Sequence, residues 1–129
     1  MIAVTKLLCG TPGPGDYLRY EHNVHRRPVV VWNCTQRCNL HCIHCYAESQ
    51  DKDYPSELTT AEGLSLIDSL ADYGAPVLLF SGGEPLVRPD VTTLMEHAVR
   101  RGLRTVISTN GTLITPDLAR RLKEIGITY

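Results

Sequence analysis

Net charge is nearly absent from this sequence. Its 129 residues carry thirteen Lys and Arg against fourteen Asp and Glu, a formal charge of −1. That balance offers no electrostatic surface to nucleic acid or an anionic membrane, so neither is an expected partner. Long apolar runs are missing too, and none approaches the roughly 18 residues of a spanning helix. The opening residues Met1-Ile2-Ala3-Val4-Thr5-Lys6 lack a basic stretch followed by an apolar one. No signal peptide is read there, and a cytoplasmic location is expected. Ten Gly and eight Pro are too few for a disordered or collagen-like chain. The length suffices for one domain.

Cysteine is what the sequence does have, five in all, four of them between positions 34 and 45. Cys34, Cys38, Cys42 and Cys45 lie too close together to staple distant segments, and the count is odd, so a disulfide framework is not expected. Clustered thiols point to a metal. Zinc sites usually take two ligand pairs roughly a dozen residues apart, and Cys9 is the only other cysteine. Closely spaced thiolates in one loop suit an iron–sulfur cluster better. Cys38, Cys42 and Cys45 are spaced C-x3-C-x2-C. Three such ligands leave the fourth iron of a cubane open to a small molecule. Cys34 is either a fourth ligand that closes the cluster or a small buried residue at a strand end.

The rest of the chain is periodic. Val29-Val30-Val31-Trp32 reads as a strand buried on both faces, with the cysteine loop directly after it. Thr59-Thr60-Ala61-Glu62 is a capping-box signature. It predicts a helix to Tyr73, with Leu66, Ile67, Leu70 and Ala71 inward and Gly74 ending it. Val77-Leu78-Leu79-Phe80 repeats the strand, and Ser81-Gly82-Gly83-Glu84-Pro85 is the turn after it. Val91, Leu94, Met95, Ala98 and Val99 fall on one helical face, ended by Gly102. Thr105-Val106-Ile107-Ser108 is a third strand. Thr115 and Pro116 start a third helix with Leu118, Ala119, Leu122 and Ile125 inward and Gly126 at its end. Ile127-Thr128-Tyr129 begins a fourth strand. Alternating strands and helices imply an α/β fold, a parallel sheet with outer helices. In such folds the chemistry gathers at the carboxyl ends of the strands. Residues 1–27 show no sustained period and read as a leader segment, and residues 28–129 as one core.

Two motifs on successive strands carry a resemblance. They are Cys38-Asn39-Leu40-His41-Cys42-Ile43-His44-Cys45-Tyr46-Ala47 and Gly82-Gly83-Glu84-Pro85. Together they resemble the radical S-adenosylmethionine (radical SAM) superfamily. The resemblance implies the N-terminal part of a partial, TIM-like barrel of about six βα units. Some three and a half of those units are present, so the chain is expected to be a piece of a longer enzyme. It also implies that Cys38, Cys42 and Cys45 hold a [4Fe–4S] cluster whose open iron is chelated by SAM. A low-potential donor such as a ferredoxin or flavodoxin would supply an electron. The resulting 5′-deoxyadenosyl radical would take a hydrogen from a small-molecule substrate.

The same match assigns roles to other residues. Gly82 and Gly83 let backbone groups approach the methionine moiety. Glu84 accepts a hydrogen bond from its ammonium group or holds the turn, and Pro85 fixes the exit from that turn. His44 stacks near the adenine. Ser108 and Asn110 contact SAM or substrate, or simply satisfy their own turn. The segments around Trp32–Leu40 and Ser108–Thr112 look like the branch with an auxiliary-cluster (SPASM or twitch) region. The leader, with Thr5-Lys6-Leu7-Leu8-Cys9-Gly10-Thr11, is similar to enzymes that trim siroheme-derived side chains in haem and haem d1 formation. An iron tetrapyrrole is the implied substrate. The alternatives are a peptide- or protein-modifying maturase of the same branch and a non-catalytic iron–sulfur protein closed by Cys34.

Overall fold

A computed structural model of the chain describes residues 27–127. The leader up to residue 26, with Cys9, lies outside the described residues, as do Thr128 and Tyr129 of the expected fourth strand. The element order is β1 (Val30–Thr35), α1 (Thr60–Tyr73), β2 (Val77–Gly82), α2 (Val91–Arg100), β3 (Arg104–Ile107) and α3 (Pro116–Ile125). A single 3-10 turn, Pro85–Val87, precedes α2. Among the described residues no helix is long and apolar enough to cross a membrane.

The helix boundaries follow from local chemistry. Thr59 caps α1 through its hydroxyl and Glu62 reaches back to the Thr59 backbone, so both halves of the capping box form. Gly74 ends α1 at φ 81°, a left-handed conformation that glycine adopts without a Cβ penalty. Thr115 and Pro116 start α3 as expected, and Gly126 ends it. The inward stripes differ in detail. In α1, Gly63 is buried under Trp32 and Leu94, Leu64 packs on the core, and Leu66 sits half-buried at the edge of the stripe. In α3, Ala119 is exposed while Leu122 and Ile125 are buried.

The three strands pair in parallel in the order β1-β2-β3. Trp32 lies beside Phe80 and Phe80 beside Ile107 in register. Side chains alternate between faces along a strand. Leu78 and Phe80 point to the helices and are fully buried with Ile67, Leu94, Met95 and Ala98. The Trp32 and Phe80 rings pack with centroids 5.4 Å apart. The opposite face departs from expectation. Val31, in register with Leu79, is 56% exposed, and Leu79 and Val106 are only half-buried. Among the described residues the helices cover one side of the sheet, so β1 is not buried on both faces.

Candidate functional site

The carboxyl ends of β1, β2 and β3 lie side by side because the strands are parallel and adjacent. Each end carries one of the unusual segments. The β1 ladder breaks register between Asn33 and Thr35, where the chain leaves the sheet for the cysteine loop. The turn after β2 presses on that loop. The Gly83 N–H donates to Thr35 O at 2.8 Å and the Glu84 N–H to Arg37 O at 2.9 Å. A Cβ on Gly82 (φ 132°) would stand 2.1 Å from Thr35 O, and one on Gly83 would stand 2.3 Å from Arg37 O. The two glycines therefore admit the backbone of the cysteine loop itself, a closer need than the one expected from SAM.

Two more groups fix the loop. Glu57 Oε1 accepts from Thr35 Oγ1 at 2.8 Å and from the Gln36 N–H at 2.7 Å. The buried Arg88 guanidinium donates to Cys34 O at 2.8 Å and Leu58 O at 2.7 Å, and so joins the two roots of the loop. Asp90 balances its charge at 2.7 and 3.0 Å. Arg37 pairs with Asp51 and Asp53 on the surface, where such pairs contribute little.

A recess of about 270 Å³ opens at these strand ends. Cys38, Cys42 and Cys45 line it together with Gly82, Gly83, Ser108 and Asn110. Seven residues picked out in the sequence are thus brought to one place. His44, Glu84 and Pro85 do not line it. His44 is exposed, and Tyr46 occupies the wall instead. Pro85 is buried at the first position of the 3-10 turn. Glu84 is fully buried and accepts from the Leu86 N–H at 2.9 Å, Thr109 Oγ1 at 2.8 Å and the Asn110 N–H at 2.7 Å. Its carboxylate ties the end of β2 to the end of β3.

Asn110 spans from its own turn to the cysteine loop. Its carbonyl accepts from the Thr112 N–H at 2.9 Å and from Thr112 Oγ1 at 2.7 Å. Its amide donates to Asn39 Oδ1 at 3.0 Å and toward Cys38 Sγ at 3.9 Å. The Leu40 N–H also donates to Cys38 Sγ, at 3.4 Å. The Cys45 thiol is held below its ordinary value, first by the backbone N–H groups of Ser49 and Ala47. That favours the thiolate a metal takes. Cys34 behaves differently. It is 2% exposed in the core, and burial pushes its thiol up to about 12 despite the Arg88 guanidinium nearby. It does not line the recess.

These residues fit a cubane with one open iron. Three thiols surround one recess, and a fourth is withheld in the core. Among the described residues no three His, Cys, Asp or Glu side chains are drawn together as ligands of a single ion. A cubane takes its thiolates one per iron. The Ser49 hydroxyl, buried in the wall of the recess, has no oxygen or nitrogen partner and lies against the Cys45 thiol. A buried polar atom left so is rare and calls for an acceptor.

Sequence reasoning did not find Ser49, Glu57, Arg88 or Thr109. Glu57 and Ser49 sit in a polar stretch that reads as plain loop, and Arg88 precedes Pro89 with no motif of its own. A buried arginine is rare and is visible only once the backbone around it is known.

Comparison with known proteins agrees with the geometry. The radical SAM superfamily profile matches residues 32–129. Fe-coproporphyrin III synthase of Methanosarcina barkeri is 50% identical, over 100% of this chain and 35% of its own length. An AdoMet-dependent heme synthase of Nitratidesulfovibrio vulgaris is 46% identical, over 77% of this chain and 27% of its own. The chain thus spans between about a quarter and a third of the length of the curated relatives it matches. Among solved structures, BtrN in complex with AdoMet and 2-DOIA aligns with a TM-score of 0.64 at 24% identity, over 75% of this chain and 41% of that one. That likeness places the parallel sheet and its helices within the fold expected from the sequence. The profile match over residues 32–129, three quarters of the chain, shows that the chain belongs to the radical SAM superfamily.

Proposed function

We propose that this chain carries the cluster- and SAM-binding part of an enzyme that modifies side chains of a siroheme-derived iron tetrapyrrole. One observation carries the reading: the recess joins Cys38, Cys42 and Cys45 to Gly82, Gly83 and the end of β3. Cys38, Cys42 and Cys45 would each supply a thiolate to the cluster, and Cys34 stays out of the ligand set. When bound, such a cluster would supply the single electron for reductive cleavage of SAM, the source of the family's hydrogen-abstracting chemistry. The Gly82-Gly83 backbone lines the place of the methionine moiety. Glu84 keeps the rim in register from beneath. Ser108 and Asn110 face SAM or substrate from β3, and His44 lies at hand for the adenine. A ferredoxin or flavodoxin is the proposed electron donor, and the cytoplasm the proposed location.

The tetrapyrrole assignment is supported by the identity to Fe-coproporphyrin III synthase along the whole chain. The test is anaerobic reconstitution with iron and sulfide. About four irons per chain, and an electron paramagnetic resonance signal of the reduced cluster that changes on adding SAM, are expected. A signal indifferent to SAM overturns the reading.

A further inference from the structure

Two side chains in the recess are placed to donate hydrogen bonds to sulfur, and none of the roles above uses them so. Ser49 is 3% exposed, its hydroxyl has no oxygen or nitrogen partner, and the sulfur it approaches is that of Cys45 on the same recess wall. A hydroxyl buried without such a partner is costly to the chain by itself. Asn110 has two amide hydrogens. One is used on Asn39 at 3.0 Å, and the amide nitrogen stands 3.9 Å from Cys38 Sγ. Its orientation is fixed at three points, by Glu84 on its backbone N–H and by Thr112 twice on its carbonyl. The two donors therefore approach the thiols from opposite ends of the motif.

We infer that Ser49 and Asn110 are the side-chain donors to the sulfur atoms of the cluster and set its reduction potential. The inference rests on the cluster reading above. Reduction adds negative charge to the cluster, and hydrogen bonds to sulfur stabilise the more negative state, so they raise the potential. Removing either donor shifts the potential downward.

The test uses the reconstituted chain and its S49A, S49T and N110A variants in anaerobic redox titrations. At a fixed poise, S49A and N110A should each show an up to tenfold lower ratio of reduced to oxidised cluster. Tenfold corresponds to about 59 mV for one electron. S49T, which keeps the hydroxyl, should titrate like the parent. In urea, the metal-free S49A chain should unfold close to the parent, since the hydroxyl has no oxygen or nitrogen partner to lose. A hydroxyl of purely structural worth would instead lower stability and leave the potential alone. Unchanged potentials in S49A and N110A at full iron content overturn the inference. Should S49A hold no cluster, N110A decides: a lowered potential supports the inference and an unchanged one overturns it. A parent chain that takes up no cluster overturns the cluster reading itself, a separate result.

Discussion

Replacing Arg88 by Ala should unfasten the cysteine loop at both of its roots. The guanidinium is 7% exposed and donates to Cys34 O, Leu58 O and both oxygens of Asp90. Without it, two carbonyls and a carboxylate lose their partner in a place with little water. Truncating one member of a buried ion pair costs about 3–5 kcal/mol. Asp90 is 19% exposed and keeps the Thr60 hydroxyl at 2.7 Å, which argues for the lower end, about 3 kcal/mol. A domain of this size has roughly 5–15 kcal/mol in total. With a urea slope of about 1–3 kcal/mol per molar, the midpoint should fall by roughly 1–3 M with the slope unchanged. Urea unfolding of the metal-free chain, followed by circular dichroism, measures it. R88K should recover only part of the loss, because an ammonium cannot reproduce the planar fork. Adding D90A to R88A should cost less than the two single losses combined. A midpoint within about 0.3 M of the parent would refute the clamp, because a loss of several kcal/mol cannot be that small on such a slope.

Other outcomes follow from the same contacts. Gly83→Ala should destabilise by more than about 2 kcal/mol, because its Cβ meets the rigid Arg37 carbonyl. Gly74→Ala meets nothing within 4 Å and should cost only the left-handed backbone penalty, about 1–2 kcal/mol, by the same urea assay. Thr59→Ala removes the capping box of α1 and should cost about 1 kcal/mol, read as a lower thermal midpoint. Part-burial pushes the Asp90 carboxyl up, yet Arg88 and Thr60 outweigh it and hold the group below its ordinary 3.8. A lowered carboxyl stabilises the fold above that value and stops doing so as pH falls through the lowered one. Asp90→Asn should therefore be least stable relative to the parent at neutral pH, with the gap closing below about pH 4 in an acid titration. Cys34→Ala should leave the iron content of the reconstituted chain unchanged, because that thiol lies outside the recess.

Much of this arrangement is legible in the sequence, for identifiable reasons. Capping residues act within a few positions of themselves, so Thr59, Glu62, Gly74, Thr115, Pro116 and Gly126 announce α1 and α3 correctly. The cysteine spacing and the Gly82-Gly83 turn are local too, and the parallel sheet brings them together. The errors come from contacts made at long range. The open face at Val31 depends on what lies across the sheet, which β-branched composition cannot report. The place of Gly63 under Trp32 and Leu94 shifts the inward stripe of α1 away from Leu66. The fastening of the cysteine loop by Glu57 and Arg88 joins residues 21 and 54 positions from their partners, beyond any periodic signal.

The direction in which the loop is fastened bears on how the chain is made. Cys38, Cys42 and Cys45 precede Glu57, Arg88, Glu84 and Asn110, the groups that hold their loop and its rim. Synthesis proceeds at about 5–20 residues per second. At that rate Cys45 precedes Asn110, 65 residues further on, by roughly 3–13 s. The wall that Asn110 contributes arrives only when β3 has docked on β2. An iron–sulfur carrier that meets the chain earlier finds three loose thiols, and one that meets it later finds a recess.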